Sequence, residues 1–228
     1  MAIILNIETA TSVCSVAISK NGEVIAFEES HESNVHAENL LVFIQNTIKK
    51  ASITLADIDA IAIGSGPGSY TGLRIGTSTA KGLCYALNKP LIAISTLKAM
   101  AETANQSVKN ADLFCPMIDA RRLEVYTALF DTTGKEILPV HARILDENSF
   151  SEYLGNHPIA FFGDGMPKMK ILFPSPNPNM IFLDNITASA NNMAALAYKA
   201  FTAKDFCDLA YYEPFYLKDF VAKKKAVK

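Results

Sequence analysis

The chain lacks a surplus of either charge: 21 Lys and Arg stand against 23 Asp and Glu, a formal net charge of −2. Gripping nucleic acid alone requires a basic excess to neutralise phosphates, so any such contact is expected to be shared with a partner. The four cysteines, Cys14, Cys84, Cys115 and Cys207, are far apart with no Cys-x-x-Cys, which reads as reduced thiols in the cytoplasm. The four histidines, His31, His36, His141 and His157, form no His-x-x-x-His pair. Neither a zinc site nor any other cofactor is expected. No apolar run approaches the ~20 residues that cross a bilayer, so no membrane contact is expected. The apolar Met1 to Ile18 has no basic start and is interrupted by Asn6, Glu8, Thr9, Thr11 and Ser12; it reads as a strand pair rather than a leader.

What the chain does have is Ile61-Ala-Ile-Gly-Ser-Gly-Pro-Gly-Ser-Tyr-Thr-Gly-Leu-Arg-Ile-Gly76, an apolar strand running through a glycine-crowded turn into a helix. Such a junction presents backbone N–H groups, and Pro67 stiffens it by fixing one φ. Arg74 and Lys81 fall at the wrong offset for a P-loop, and the following strand, Leu91 to Ser95, carries no acid for a ribose, so neither common nucleotide motif fits. A tight connection with no ligand is the alternative.

The 228 residues, half of them hydrophobic, suffice for two modest cores. Strand signals at Ile3 to Ile7, Val13 to Ser19 and Val24 to Glu29, with Asn21-Gly22 as a hairpin turn, precede a helix from His36 to Lys50. The strand Ile58 to Ile63, a helix from Thr71 to Leu87, the strand Leu91 to Ile94 and a helix from Thr96 to Asn105 complete the order βββαβαβα. The rhythm restarts at Leu113 to Ile118, Val125 to Phe130 and Lys135 to Ile144. A helix near Glu147 to Tyr153, a strand Ile159 to Phe162 and a helix Ser189 to Ala203 follow, with Pro174 to Pro178 as an extended loop. The expected fold is α/β, a duplicated ribonuclease-H-like unit of the actin, Hsp70 and sugar-kinase type. Residues 1–105 form the N-terminal domain, with the glycine loop and dimerisation helices. Residues 106–228 form a smaller, truncated second domain with a C-terminal tail.

The nucleotide cleft of such a fold reads as degenerate. Glu8-Thr9-Ala10-Thr11 and Asp119-Ala120-Arg121 lack the glycine of an Asp-x-Gly phosphate turn, and Gly163-Asp164-Gly165 is short. A two-metal nuclease could draw on Glu8 and Glu38, but Asp57 and Asp59 precede the fourth strand, at its wrong end. No Gly-x-Ser-x-Gly elbow surrounds Ser69, and Thr71 reads as a helix N-cap. Arg74, in the first turn of a helix, opposes the macrodipole and calls for a carboxylate or a ligand anion. Glu8, Gly66, Gly68, Ser69, Thr71, Arg74, Asp119 and Arg121 are thus the candidate ligand-facing residues.

Gly72, Gly76 and Ala80, flanked by Thr79 and Leu83, make a small-residue stripe suited to close helix approach. It serves either the chain's own sheet or a docking face shared with Leu40, Leu41 and Ile44. The basic end, Lys218, Lys223, Lys224, Lys225 and Lys228, reads as a solvated tail or a weak RNA contact within an assembly.

Ile7-Glu8-Thr9-Ala10-Thr11, His36 with Leu40-Leu41, Gly66 to Gly76, Asp119-Ala120-Arg121 with Glu124-Val125-Tyr126, and Pro214-Phe215-Tyr216-Leu217-Lys218 together resemble the bacterial TsaB (YeaZ-type) family along nearly the whole chain. The resemblance implies a non-catalytic scaffold and dimerisation subunit of the machinery placing threonylcarbamoyl on the anticodon-adjacent adenosine of tRNA. It implies a TsaD-type catalytic partner, a TsaE-type ATPase, a homodimer in isolation and tRNA only within the complex. TsaD relatives hold a metal through His-x-x-x-His where this chain has Thr96-Leu97-Lys98-Ala99-Met100. The partner-binding residues it implies are His36, Leu40, Leu41, Ile44, Gly72, Gly76, Thr79, Ala80 and Leu83. Lys218 stands where many relatives have arginine. The alternatives are a weak ATPase of the actin-like superfamily or a glycoprotease-like peptidase.

Overall fold

A computed structural model describes residues 1–32, 36–175 and 177–218. Six buried or half-buried residues, Ile-Ile-Leu-Asn-Ile-Glu, make the first strand β1 (Ile3–Glu8), and a strand covered on both faces belongs at a sheet centre. It pairs antiparallel with β2 (Cys14–Lys20), which pairs antiparallel with β3 (Glu23–Ser30). The β2–β3 turn has Asn21 at φ 52° and Gly22 at φ 89°, the two positive values that an Asn-Gly hairpin supplies. The helix α1 (His36–Lys50) crosses to β4 (Ala60–Gly64), and α2 (Tyr70–Leu87) crosses to β5 (Leu91–Ile94), both strands parallel to β1. The sheet order is β3-β2-β1-β4-β5.

After α3 (Thr96–Ser107) the pattern repeats. The strands β6 (Leu113–Asp119), β7 (Glu124–Asp131) and β8 (Glu136–Ile144) form a second antiparallel meander. A short helix α4 (Ser151–Leu154), the strand β9 (Ile159–Phe162), a helix α5 (Pro167–Leu172) and the strand β10 (Met180–Leu183) follow. With β9 and β10 parallel to β6, this sheet runs β8-β7-β6-β9-β10, the same order as the first. The duplicated ribonuclease-H-like fold expected from the strand rhythm is the one observed.

The expected division between residues 105 and 106 is crossed twice by the packing. The apolar face of α3, Leu97, Met100, Ala101 and Ala104, covers Phe114, Ile118, Ala128 and Phe130 of the second sheet. Conversely a 3-10 turn (Ala190–Met193) and the last helix α6 (Ala194–Ala203) return to the first sheet, where Met193 and Ala197 meet Ile4, Ala60, Ala62 and Ile92. Ala190 N–H donates to Ser15 Oγ at 2.8 Å, and Ser189 Oγ donates to Glu29 at 2.6 Å. Each lobe therefore borrows a helix from the other end of the chain.

One local expectation is corrected. The helix expected from Glu147 to Tyr153 shrinks to α4, because the Asp146 carboxylate accepts from Asn148 N–H and Ser149 Oγ and holds a side-chain turn in its place. The helix α5 and the strand β10 had no counterpart in the sequence reading. The lysines 223, 224, 225 and 228 lie outside the described residues.

Candidate functional site

Glu8 ends β1 and turns its carboxylate back under its own backbone. Oε1 accepts from the N–H groups of Thr9 and Ala10, each at 2.8 Å, and Oε2 accepts from the Thr96 hydroxyl at 2.9 Å. Thr96 Oγ1 also accepts from Gly66 N–H at 3.2 Å, so one buried network joins β1, the glycine loop and α3. Burial is the largest influence on Glu8 and pushes its pKa above the ordinary value; the Ala10 N–H, the Thr96 hydroxyl and the Thr9 N–H pull it back.

The glycine loop docks on the turn that follows Glu8. Ser69 N–H donates to Ala10 O at 2.6 Å. The Ser69 hydroxyl accepts from Gly72 N–H at 3.3 Å, which makes Ser69, not Thr71, the N-cap of α2. Thr9 Oγ1 donates to Gly72 O at 2.9 Å. A side-chain carbon at Gly68 would overlap the Ala10 carbonyl, one at Gly72 the Thr9 carbonyl, and one at Gly76 the Thr9 hydroxyl. The loop is thus a close-packed joint whose Gly66, Ser69 and Gly72 N–H groups already have acceptors within the chain.

Arg74 is exposed. Its guanidinium lies 5.4 Å from the Tyr70 ring centroid and donates to the Tyr70 hydroxyl at 3.2 Å. Among the described residues an aromatic ring takes the place of the expected carboxylate, a cation–π contact.

In the second lobe Asp119 ends β6. Its carboxylate accepts from Arg121 N–H and from Lys168 Nζ at 2.8 Å, while Asp164 accepts from Asp119 N–H at 3.0 Å. Burial, with the Asp119 charge adding to it, raises the Asp164 carboxyl above its usual range. Arg121 and Arg122 take left-handed φ values of 73° and 49° and their side chains are exposed. The structure therefore gathers Glu8, Gly66, Gly68 and Ser69 into one joint and sets Asp119 and Arg121 on a separate turn. Asp59 lies at the opposite end of the first sheet, accepting from Ile3 N–H at 2.8 Å.

The residues expected at a partner surface divide by burial. Leu40, Ile44 and Ala80 are inside the first lobe's core, packed with Leu5, Ile7 and Val16. His36 is buried with Nε2 3.3 Å from Val13 O. The stripe Gly72, Gly76, Ala80 faces the chain's own Thr9 and Ile63, so only Leu41, and in part Thr79 and Leu83, reach solvent. Leu41, 57% exposed, is joined on the open side by residues outside the expected set: Val42 on α1, 47% exposed, and Thr71, Arg74, Ser78, Gly82 and Tyr85 on α2, with Tyr85 84% exposed. A Cβ at Gly82 would meet nothing within 4 Å among the described residues. The sequence contained this second small-residue register, but nothing in its spacing separated it from the buried one.

Burial raises the thiols of Cys14 to about 11 and of Cys84 and Cys115 to about 12, keeping them protonated at neutral pH. Among the described residues no group of three His, Cys, Asp or Glu side chains could hold a metal ion.

Two meanders, each extended by parallel crossovers and each carrying a turn at the carboxyl end of its first strand, define a duplicated ribonuclease-H-like protein of the actin-like class. The activator of 2-hydroxyisocaproyl-CoA dehydratase from Clostridium difficile with bound ADPNP shares that fold alone, at TM-score 0.54 and 10% identity over 89% of this chain and 97% of that one. Residues 29–227 match the family model described as "TsaD: tRNA N6-adenosine threonylcarbamoyltransferase", and the chain belongs to that family. Within it the chain is of the TsaB/YeaZ type. YeaZ from Pseudomonas aeruginosa superposes at TM-score 0.79 and 27% identity, covering 95% of this chain and all (100%) of that one. The "tRNA threonylcarbamoyladenosine biosynthesis protein TsaB" of Escherichia coli (strain K12) is 42% identical over 125 residues, 55% of this chain and 53% of that protein. Its namesake in Bacillus subtilis (strain 168) is 32% identical over 127 residues, 56% of this chain and 54% of that protein. The chain thus spans about half the length of the curated relatives it matches.

Proposed function

We propose that this chain is a non-catalytic scaffold subunit in the formation of threonylcarbamoyladenosine on tRNA, working in the cytoplasm beside a TsaD-type catalytic subunit. The observation that carries this reading is the joint around Glu8. The N–H groups of Thr9 and Ala10, placed where an actin-like fold would offer donors to phosphate, are bonded to the chain's own carboxylate. The Ser69 hydroxyl caps a helix, and the buried thiols are protonated, which leaves the peptidase reading without an activated nucleophile.

The open side of α1 and α2 is the proposed contact surface, for a second copy in isolation and for the TsaD-type subunit in the working assembly. A TsaE-type ATPase joins that assembly, and tRNA is met only within it. Leu41, Val42 and Tyr85 supply apolar anchors, and Ser78 with Gly82 lets a partner helix approach closely. Gly76→Glu is unsuitable as a test because it would break the chain's own packing on Thr9. Leu41→Glu with Tyr85→Glu, both on exposed sites, is expected to leave thermal unfolding unchanged while abolishing co-elution with the TsaD-type subunit. Co-elution at wild-type strength would refute the surface.

A further inference from the structure

We infer that the segment Asp208–Lys218 is a latch across the crevice between the two lobes. The segment leaves α6, and Cys207 N–H adds to the edge of the first sheet at Leu91 O, 2.9 Å away. Lys81 Nζ on α2 then donates to the carbonyls of Ala210 and Tyr212, both at 3.1 Å. Phe215 N–H donates to Ser65 O at 2.8 Å, at the carboxyl end of β4, and the Tyr216 ring packs tilted against Tyr70 with ring centroids 4.9 Å apart. Three residues beyond Phe215, Lys218 Nζ meets both carboxylate oxygens of Glu124, the first residue of β7 in the other lobe. Three extended residues span about 10 Å. The segment therefore crosses directly from the glycine loop of one lobe to the Asp119–Glu124 turn of the other.

That crossing lies at the carboxyl ends of the parallel strands of both sheets, where open α/β folds admit ligands. The two anchors differ in character. On the first lobe the segment is held by main-chain bonds and by Tyr212, which packs into the core with its hydroxyl unpartnered among the described residues. On the second lobe its anchor among the described residues is the Lys218–Glu124 ion pair, with side chains 46% and 21% exposed. A half-exposed pair is weak and salt-sensitive. The second-lobe end is thus the releasable one, and its release loosens the segment over the glycine loop while both lobes stay folded.

Amide hydrogen exchange of the full chain, followed peptide by peptide, tests this. Lys218→Gln is expected to speed exchange of peptides covering 208–217 and 64–69 by about two- to fivefold, the range of a surface ion pair, with α1 unaffected. The charge swap Glu124→Lys with Lys218→Glu is expected to restore wild-type protection, and high salt to speed the wild type but not Lys218→Gln. Unchanged exchange in Lys218→Gln, a swap that fails to restore, or equal acceleration in α1 would each overturn the latch.

Discussion

The two lobes share a strand order and differ in what closes the first strand of each. In the N-terminal lobe Glu8 is buried and satisfies its own turn, with glycines pressed against that turn from α2. In the second lobe Asp119 is partly exposed, its carboxylate braced by Lys168, and the turn after it runs through two left-handed arginines. One terminus has become core and the other remains surface. A duplicated architecture therefore does not imply two equivalent sites: the same position serves packing in one copy and stays open to solvent in the other.

The comparison breaks most readily at the glycines. Gly72→Ala places a carbon into the Thr9 carbonyl, a main-chain atom that cannot swing aside, whereas Gly82→Ala on the same helix meets nothing among the described residues. The first is expected to cost about 3 kcal/mol or more, and the second to stabilise by up to about 1 kcal/mol through helix propensity. Chemical denaturation of both variants measures the difference, and equal effects would contradict the joint.

The carboxylates come next. Glu8→Ala leaves the Thr9 and Ala10 N–H groups and the Thr96 hydroxyl without their acceptor, an expected loss of about 1–3 kcal/mol for buried unpaired groups. Asp119→Ala removes an ion pair whose carboxylate is 44% exposed while its Lys168 partner is 14% exposed, and is expected to cost about 1 kcal/mol, less than Glu8→Ala.

The smallest effect is the dependence on pH. Because burial raises the folded-state pKa of Glu8 above its ordinary 4.5, the folded protein binds this proton more tightly than the unfolded chain. The associated stability is fully present below pH 4.5 and is lost as pH rises through the folded value. Glu8→Gln is expected to flatten that slope in melting curves recorded upward from pH 4; an unaltered slope would assign it to another group.

Much of this was legible before the structure. The alternation of apolar runs and turn residues placed both meanders, and Asn21-Gly22 marked its own hairpin because both residues tolerate positive φ. The helices that cover each sheet were legible as helices but not as exchanged, since amphipathicity reports that a face is buried and not against which sheet. The elements α5 and β10 were missed because six and four residues carry too little periodicity to register. At the site, Glu8, Gly66, Gly68 and Ser69 were read as ligand-facing, and the structure packs and bonds them against one another. Glu8 can satisfy Thr9 and Ala10 only by folding back on its own turn, a conformation that no spacing encodes. The two small-residue registers of α2 differ only in which one Thr9 meets.

The central claim is that the first lobe's donors are filled from within and that its open helical face does the work of binding. Isothermal titration calorimetry of the purified chain, once with ATP and once with the TsaD-type subunit, tests it most directly. The account expects saturable heat with the protein partner and none with ATP. Saturable binding of ATP to the isolated chain, or no complex with the partner, would contradict it.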